Sequence, residues 1–143
     1  MADAAIYFID STTLISAVDK DSQSHRHCLE LIDRVAKLQL NAATSLETLE
    51  EALFILTRLI SRRDAIRIVR NYLLLPGLVK LPMNLATLMQ AMEVMEISSL
   101  APKDAINIAT MLENNIRLIV SEDRDYDKAG LVQRIHPLDL IDL

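Results

Sequence analysis

The stretch from Leu100 to Asp127 constrains this chain more than any other: Leu-Ala-Pro-Lys-Asp-Ala-Ile-Asn-Ile-Ala-Thr-Met-Leu-Glu-Asn-Asn-Ile-Arg-Leu-Ile-Val-Ser-Glu-Asp-Arg-Asp-Tyr-Asp. It reads as helix, turn, strand, acidic loop. Pro102 suits the first helical position, where its missing N–H is not needed. Ala105, Ile108, Ala109 and Leu112 then repeat with helical period and make one apolar face. Asn114 and Asn115 suit the stop. Ile116 to Val120 is a β-branched apolar run, as in a buried strand. In parallel α/β sheets, helix starts and strand ends share one edge, and ligands bind there. Asp104, in the first turn of the helix, and Asp123, just past the strand, are therefore aimed at one place. Either acid alone has a plainer explanation. The macrodipole favours an acid in a first helical turn, and Asp is common in turns after strands.

The remaining pattern supports a parallel sheet. Two Gly and four Pro leave little turn material for an all-β fold. The chain has 143 residues, 51% of them hydrophobic, which suggests a single domain over residues 1–143 with a sizeable core. With three Tyr, two Phe and no Trp, that core must be aliphatic. The net charge of −5 argues against a protein that merely coats nucleic acid. It leaves room for an enzyme whose acids hold cations. Cys28 is the single cysteine, so the chain has no internal disulfide and no Cys cluster for zinc. His25 and His27 read as surface or capping residues. The sequence shows no signal peptide and no apolar run long enough to span a bilayer, so a soluble cytoplasmic protein with no membrane partner is expected.

Taken in order, Ile6 to Ile9 reads as a central strand ended by Asp10. Ser11, Thr12 and Thr13 are good caps for a helix at Leu14 to Val18. Asp10 is thus a third acid at a strand end, although it could simply cap that helix. Asp19 to Ser24 is loop, and His25 to Leu38 is helix, with Cys28, Leu31, Ile32 and Val35 on one face. Leu38 to Ala43 suggests a second strand. Thr44 or Ser45 caps a helix with Leu46, Leu49, Leu53, Leu56 and Ile60 as its stripe. Glu51 falls nearly opposite, beside Phe54 and Ile55, where a partly buried carboxylate needs a reason. Glu47 and Glu50 read as solvated charges.

Ser61 to Asp64 resembles a capping box. The helix it opens carries Arg63, Arg67 and Arg70 along one face, either an ordinary solvated face or a phosphate-contact stripe. Pro76-Gly77 breaks it, and Leu78 to Leu81 reads as a short edge strand. Asn84 caps a helix whose Leu85, Leu88, Met89, Met92 and Met95 read as core. Lys128 to Gly130 is a turn, and Leu131 to Ile135 is a last strand ended by His136-Pro137. The chain closes on an acidic and apolar tail.

Alternating strands and helices imply a right-handed, three-layer α/β domain around a parallel sheet. Asp10, Asp104 and Asp123 meet at its carboxyl-end edge. Crowded carboxylates repel, and a hard cation is the simplest remedy. Mg²⁺ or Mn²⁺ suits all-oxygen ligands.

Four segments carry a family resemblance: Ile-Asp10-Ser-Thr-Thr-Leu-Ile, Thr-Ser-Leu-Glu-Thr-Leu-Glu-Glu51-Ala-Leu-Phe-Ile-Leu, Leu-Ala-Pro-Lys-Asp104-Ala-Ile-Asn-Ile-Ala-Thr and Ile-Val-Ser-Glu-Asp123-Arg-Asp-Tyr. Together they resemble the four acidic motifs of PIN domains, and the compact form is similar to VapC toxins. The resemblance implies a PIN-like three-layer α/β/α fold with a parallel sheet of about five strands. It also implies a metal-dependent endoribonuclease acting on single-stranded RNA, with Mg²⁺ or Mn²⁺ as cofactor. Carried over, Asp10 and Asp104 are the main ligands, Asp123 completes the site, and Glu51 holds a metal or positions its water. Ser121 supports the site, and Asp125 is a further acid. Many members have Asn where this chain has Thr12, whose hydroxyl can still donate a hydrogen bond. The resemblance further implies a cognate antitoxin and a homodimer. Surplus apolar residues on the helix at 46–60 and at Leu73 to Leu75 point to a homodimer independently.

Rival phosphoryl-transfer folds fit less well. A haloacid-dehalogenase-like enzyme wants an acid where Thr12 stands. A receiver domain wants a lysine where His136-Pro137 ends the last strand. A binding module without catalysis would not need all four acids.

Overall fold

The computed structural model describes residues 5–141. Five strands form one sheet: β1 (Ile6–Ile9), β2 (Asn41–Ser45), β3 (Leu78–Leu81), β4 (Leu118–Val120) and β5 (Gln133–Ile135). Their order is β3-β2-β1-β4-β5, and every neighbouring pair is parallel. From β1 the chain builds outward through β2 to β3, then crosses back to place β4 on the other side of β1. The switch point therefore lies between the carboxyl ends of β1 and β4, the place where such sheets open a crevice.

Strand alternation sorts the core into two layers. Ile9, Ala42, Leu78 and Val120 face one cluster, with Leu14, Leu31, Leu49, Leu56 and Val69. That layer is built from α1 (Ser11–Ser16), α2 (His25–Ala36), α3 (Leu46–Leu59), α4 (Arg62–Leu73) and α7 (Pro137–Ile141). Phe8, Ala43, Leu81 and Ile119 face the opposite cluster, with Ala91, Val94, Ala105 and Ile108. That second layer rests on α5 (Leu85–Glu96) and α6 (Pro102–Glu113). The three-layer parallel architecture is the one expected. Cys28 is fully buried in the core, and burial, with the charge of Glu122 adding, pushes its thiol up to about 12. No helix among the described residues is long and apolar enough to cross a membrane.

Several boundaries differ from expectation, each for a local reason. The second strand begins at Asn41 rather than Leu38, because Leu38 takes a left-handed conformation (φ 60°) that closes α2. Asn115 does the same for α6 (φ 57°), so β4 begins at Leu118 and not at Ile116. Helix α1 starts at Ser11, immediately after β1, three residues earlier than the apolar pattern suggests. The last strand is shortened to Gln133–Ile135. The acidic and apolar tail forms α7, which Pro137 opens at its first position. Gly77 (φ 82°) turns the chain into β3 where a Cβ would lie 2.5 Å from the Val35 carbonyl oxygen.

The largest difference concerns α5. Its buried stripe is Thr87, Ala91 and Val94, small residues that seat it closely on α6. Leu85 (77% exposed), Leu88, Met89 (57%) and Met92 face outward and are not core. Apolar count alone misleads here, because close helix approach selects small side chains and leaves the large ones on the opposite face.

Candidate metal centre

Three elements deliver acids to the switch point. Asp10 comes directly after β1, and its backbone N–H continues the ladder to the Val120 carbonyl at 3.1 Å. Its side chain is 3% exposed and makes no capping bond to α1. Asp10 holds the N-cap position of α1 through its carbonyl, which accepts the Thr13 N–H at 3.1 Å, while its carboxylate is bonded by Ser121 and Thr12. Asp104 sits in the first turn of α6 and is 6% exposed. Asp123 and Asp125 lie on the loop after β4, where Asp123 accepts the Asp125 N–H at 2.9 Å and caps a 3-10 turn over Arg124–Asp127.

Carboxylate oxygens of Asp104, Asp123 and Asp125 all lie within 4.8 Å of one another. That spacing and an all-oxygen donor set suit one hard divalent cation. Asp10 is outside this trio but is wired to it. Ser121 Oγ donates to Asp10 Oδ2 at 2.7 Å and accepts the Asp123 N–H at 3.0 Å. Thr12 donates to the same Asp10 oxygen at 3.3 Å, as its hydroxyl allows. The Tyr126 hydroxyl lies 3.4 Å from Asp10 Oδ1 and also bonds Asp104.

Behind them runs a second layer of polar contacts. Asn107 Nδ2 donates to the Tyr126 hydroxyl at 2.9 Å. Asn107 Oδ1 accepts from Thr48 at 3.1 Å and from Ser45 at 3.3 Å. Tyr126 is fully buried and Asn107 nearly so. The sequence pattern alone did not single out either residue. The available signal was Asn107 itself, a polar residue one helical turn after Asp104 and on the same face.

Glu51 goes elsewhere. Its Oε1 pairs with the Lys103 ammonium, bridging α3 to α6. Its Oε2 is buried without a hydrogen-bond partner among the described residues, and so is Glu47 Oε2. Glu47 is therefore half-buried rather than simply solvated, while Glu50 is exposed as expected. A cleft of about 530 Å³ opens here, lined by these three glutamates, Phe54, Lys103 and Ile106 among others. Arg63, Arg67 and Arg70 are exposed on α4, and Arg67 pairs with Asp64 at 3.6 Å. Among the described residues, no hydrogen bond or ion pair ties that stripe to the acids.

The electrostatics are those of buried, crowded acids. Burial raises the Asp10 carboxyl, partly opposed by the Ser121 bond and reinforced by Glu51 and Asp123. Burial also pushes Asp104 up to about 6, with Asp123 and Asp10 adding to it and the Tyr126 bond and Lys103 opposing. Partial burial works against the Lys103 charge, but Glu51, Asp104 and Asp10 hold its ammonium above the usual lysine range. Acids held this way repel one another when ionised together, and a divalent cation held among them would relieve that repulsion.

Comparison with solved structures places the fold. VapC20 of Mycobacterium tuberculosis superposes with a TM-score of 0.74 at 19% identity, covering 89% of this chain and 97% of that one. A DNA-bound VapBC from Salmonella typhimurium gives 0.71 at 10% identity, covering 93% and 98%. A toxin–antitoxin complex from Klebsiella pneumoniae gives 0.65 at 16%, covering 94% and 98%. No curated protein matches the chain in sequence. The family model of the PIN domain matches residues 7–131. With that match over most of its length and this sheet, the chain belongs to the PIN-domain family and has the fold of VapC toxins.

Proposed function

We propose that this protein is a cytoplasmic, divalent-metal-dependent endoribonuclease that cleaves single-stranded RNA as the toxin of a VapBC-type pair. The observation that carries this reading is the convergence of Asp104, Asp123 and Asp125 within 4.8 Å, with Asp10 joined to them through Ser121 and Tyr126. Family membership supports nuclease chemistry. VapC20, which shares the fold, is described as a toxin that cleaves the sarcin-ricin loop. The Klebsiella and Salmonella structures contain antitoxin partners, which supports a cognate antitoxin here.

In this reading Asp104, Asp123 and Asp125 hold Mg²⁺ or Mn²⁺, and Asp10 completes the site. A metal bound there supplies a water made nucleophilic at neutral pH and neutralises charge on the phosphodiester. Ser121, Thr12 and Tyr126 fix the Asp10 carboxylate by bonding both of its oxygens, so its orientation is set before substrate arrives. Asp104 is turned toward the site by Tyr126, which Asn107 holds in place. Glu51, on the neighbouring helix, adds negative charge that Asp10 feels. Arg63, Arg67 and Arg70 form an exposed cationic row on an acidic chain and are assigned to RNA backbone contact. The outward apolar rows on α5 and at Leu73 and Leu74 are assigned to a homodimer. A monomeric mass by light scattering at micromolar concentration would remove the dimer.

The direct test is cleavage of a single-stranded RNA panel by purified protein. Cleavage should require Mg²⁺ or Mn²⁺ and vanish in EDTA. Cleavage that survives both EDTA and Asp10→Asn would refute the reading.

A further inference from the structure

We propose that Arg134 is a positioning residue for this centre: it clamps the acid-bearing loop at both ends and so sets the spacing of the carboxylates that take the cation. The inference rests on the proposed metal-dependent chemistry and names a residue that acts through the same site. The loop leaves β4 at Ser121 and ends its 3-10 turn at Asp127, with Asp123, Asp125 and Tyr126 between them. Arg134 lies on the neighbouring strand β5. Its Nη1 donates to the Ser121 carbonyl at 3.1 Å. Its Nε and Nη2 donate to the two Asp127 carboxylate oxygens at 3.2 and 3.3 Å. One guanidinium therefore holds the first and the last residue of the segment.

Both ends matter to the acids. Strand β5 fixes the backbone of Ser121 on two sides, since its N–H donates to the Ile135 carbonyl at 3.1 Å and its carbonyl takes the Arg134 bond. Ser121 Oγ in turn donates to Asp10 and accepts the Asp123 N–H. A shift of Ser121 moves two acids at once. At the far end, Asp127 closes the turn that Asp123 opens, and Asp125 and Tyr126 lie within it. The Arg134 side chain is 15% exposed, and a charge so enclosed needs its fork of acceptors. Lys128 also pairs with a loop acid, Asp125 at 2.9 Å, but both of those side chains are about half exposed, where ion pairs hold little. A lysine at position 134 would keep the charge and lose the fork, because an ammonium is a point charge.

The experiment measures the Mn²⁺ Kd of the full chain by calorimetry at neutral pH, beside hydrogen exchange of the metal-free protein in EDTA. Arg134→Lys and Arg134→Gln should each weaken Mn²⁺ binding by about 10- to 100-fold. In both, the Asp123 and Asp125 amides should lose protection from exchange while those of β1 keep theirs. Arg134→Lys decides the matter if Arg134→Gln does not fold. The sign separates positioning from charge. A cation near the site repels Mn²⁺, so an arginine acting by charge alone would give tighter binding in Arg134→Gln and unchanged binding in Arg134→Lys. That result would overturn the proposal, and so would a lower melting temperature with unchanged Mn²⁺ affinity. Weakened Mn²⁺ binding in the variants of a protein that cuts no RNA would support this inference and sink the nuclease reading. A wild-type chain that binds no Mn²⁺ would sink both.

Discussion

The two halves of the acidic edge are built differently. Around Asp10 and Asp104 each carboxylate is buried and bonded by neutral donors: Ser121, Thr12 and Tyr126, backed by Asn107, Ser45 and Thr48. Around Glu51 a single lysine does the work, at the mouth of an open cleft. Neutral donors orient an acid without cancelling its charge, so the first half keeps the negative charge that the proposed metal would neutralise. A lysine offsets part of the Glu51 charge, although Asp10 still feels the remainder. The same residue type is thereby given two roles by its partners.

The largest effect should come from breaking the first half directly. Asp104→Asn and Asp123→Asn should each cost more in RNA cleavage than the roughly 10- to 100-fold typical of residues that only support a ligand. Single-turnover assays, with circular dichroism to check the fold, measure this. Equal loss in Glu51→Gln would erase the contrast between the halves.

Next comes the supporting layer. Tyr126→Phe removes the single hydroxyl proton that Asp10 and Asp104 share and strands the Asn107 N–H. It should weaken Mn²⁺ binding by about 10- to 100-fold and cost about 1–3 kcal/mol of stability. Unchanged Mn²⁺ affinity in calorimetry would make Tyr126 a packing residue only.

A pH series sharpens the same half. Asp104 titrates at about 6 in the folded, metal-free chain, above its ordinary value of 3.8. Protons compete with the cation below that point, so Mn²⁺ affinity should fall as pH drops through about 6. In Asp104→Asn that inflection should disappear.

The smallest effect belongs to the arginine row, which touches neither half. Replacing Arg63, Arg67 and Arg70 by Ala should flatten the log–log salt dependence of RNA binding by roughly 0.7 for each phosphate no longer neutralised. An unchanged slope would mark the row as an ordinary solvated face.

Legibility in the sequence divides along the same line. Most helix starts were readable because capping residues act locally, although α1 begins at Ser11, ahead of its apolar run. Asp10, Asp104 and Asp123 were readable because topology sends those positions to one edge. The left-handed closure at Asn115 was legible, since Asn favours that conformation, but the one at Leu38 was not, since leucine carries no such signal. The exposed face of α5 was missed because apolar periodicity does not say which side meets a neighbour. The Glu51–Lys103 pair joins residues 52 positions apart on different helices and leaves no local pattern.

Thermal melting with and without Mn²⁺, on wild-type protein and Asp104→Asn, tests most directly whether these acids form one metal site. Asp10 and Asp104 have folded values raised above their unfolded ones, so each contributes stability below its unfolded pKa and loses it as pH rises through the folded one, about 6 for Asp104. Metal-free protein should therefore melt lower at pH 7 than at pH 5. Mn²⁺ at a hundredfold excess over Kd should add about 2.7 kcal/mol, a rise of roughly 5–10 °C for a chain of this size. Asp104→Asn should melt higher than wild type in EDTA at pH 7 and respond less to Mn²⁺. A wild-type melting temperature indifferent to the ion, or an Asp104→Asn variant that melts lower in EDTA, would contradict a shared metal site.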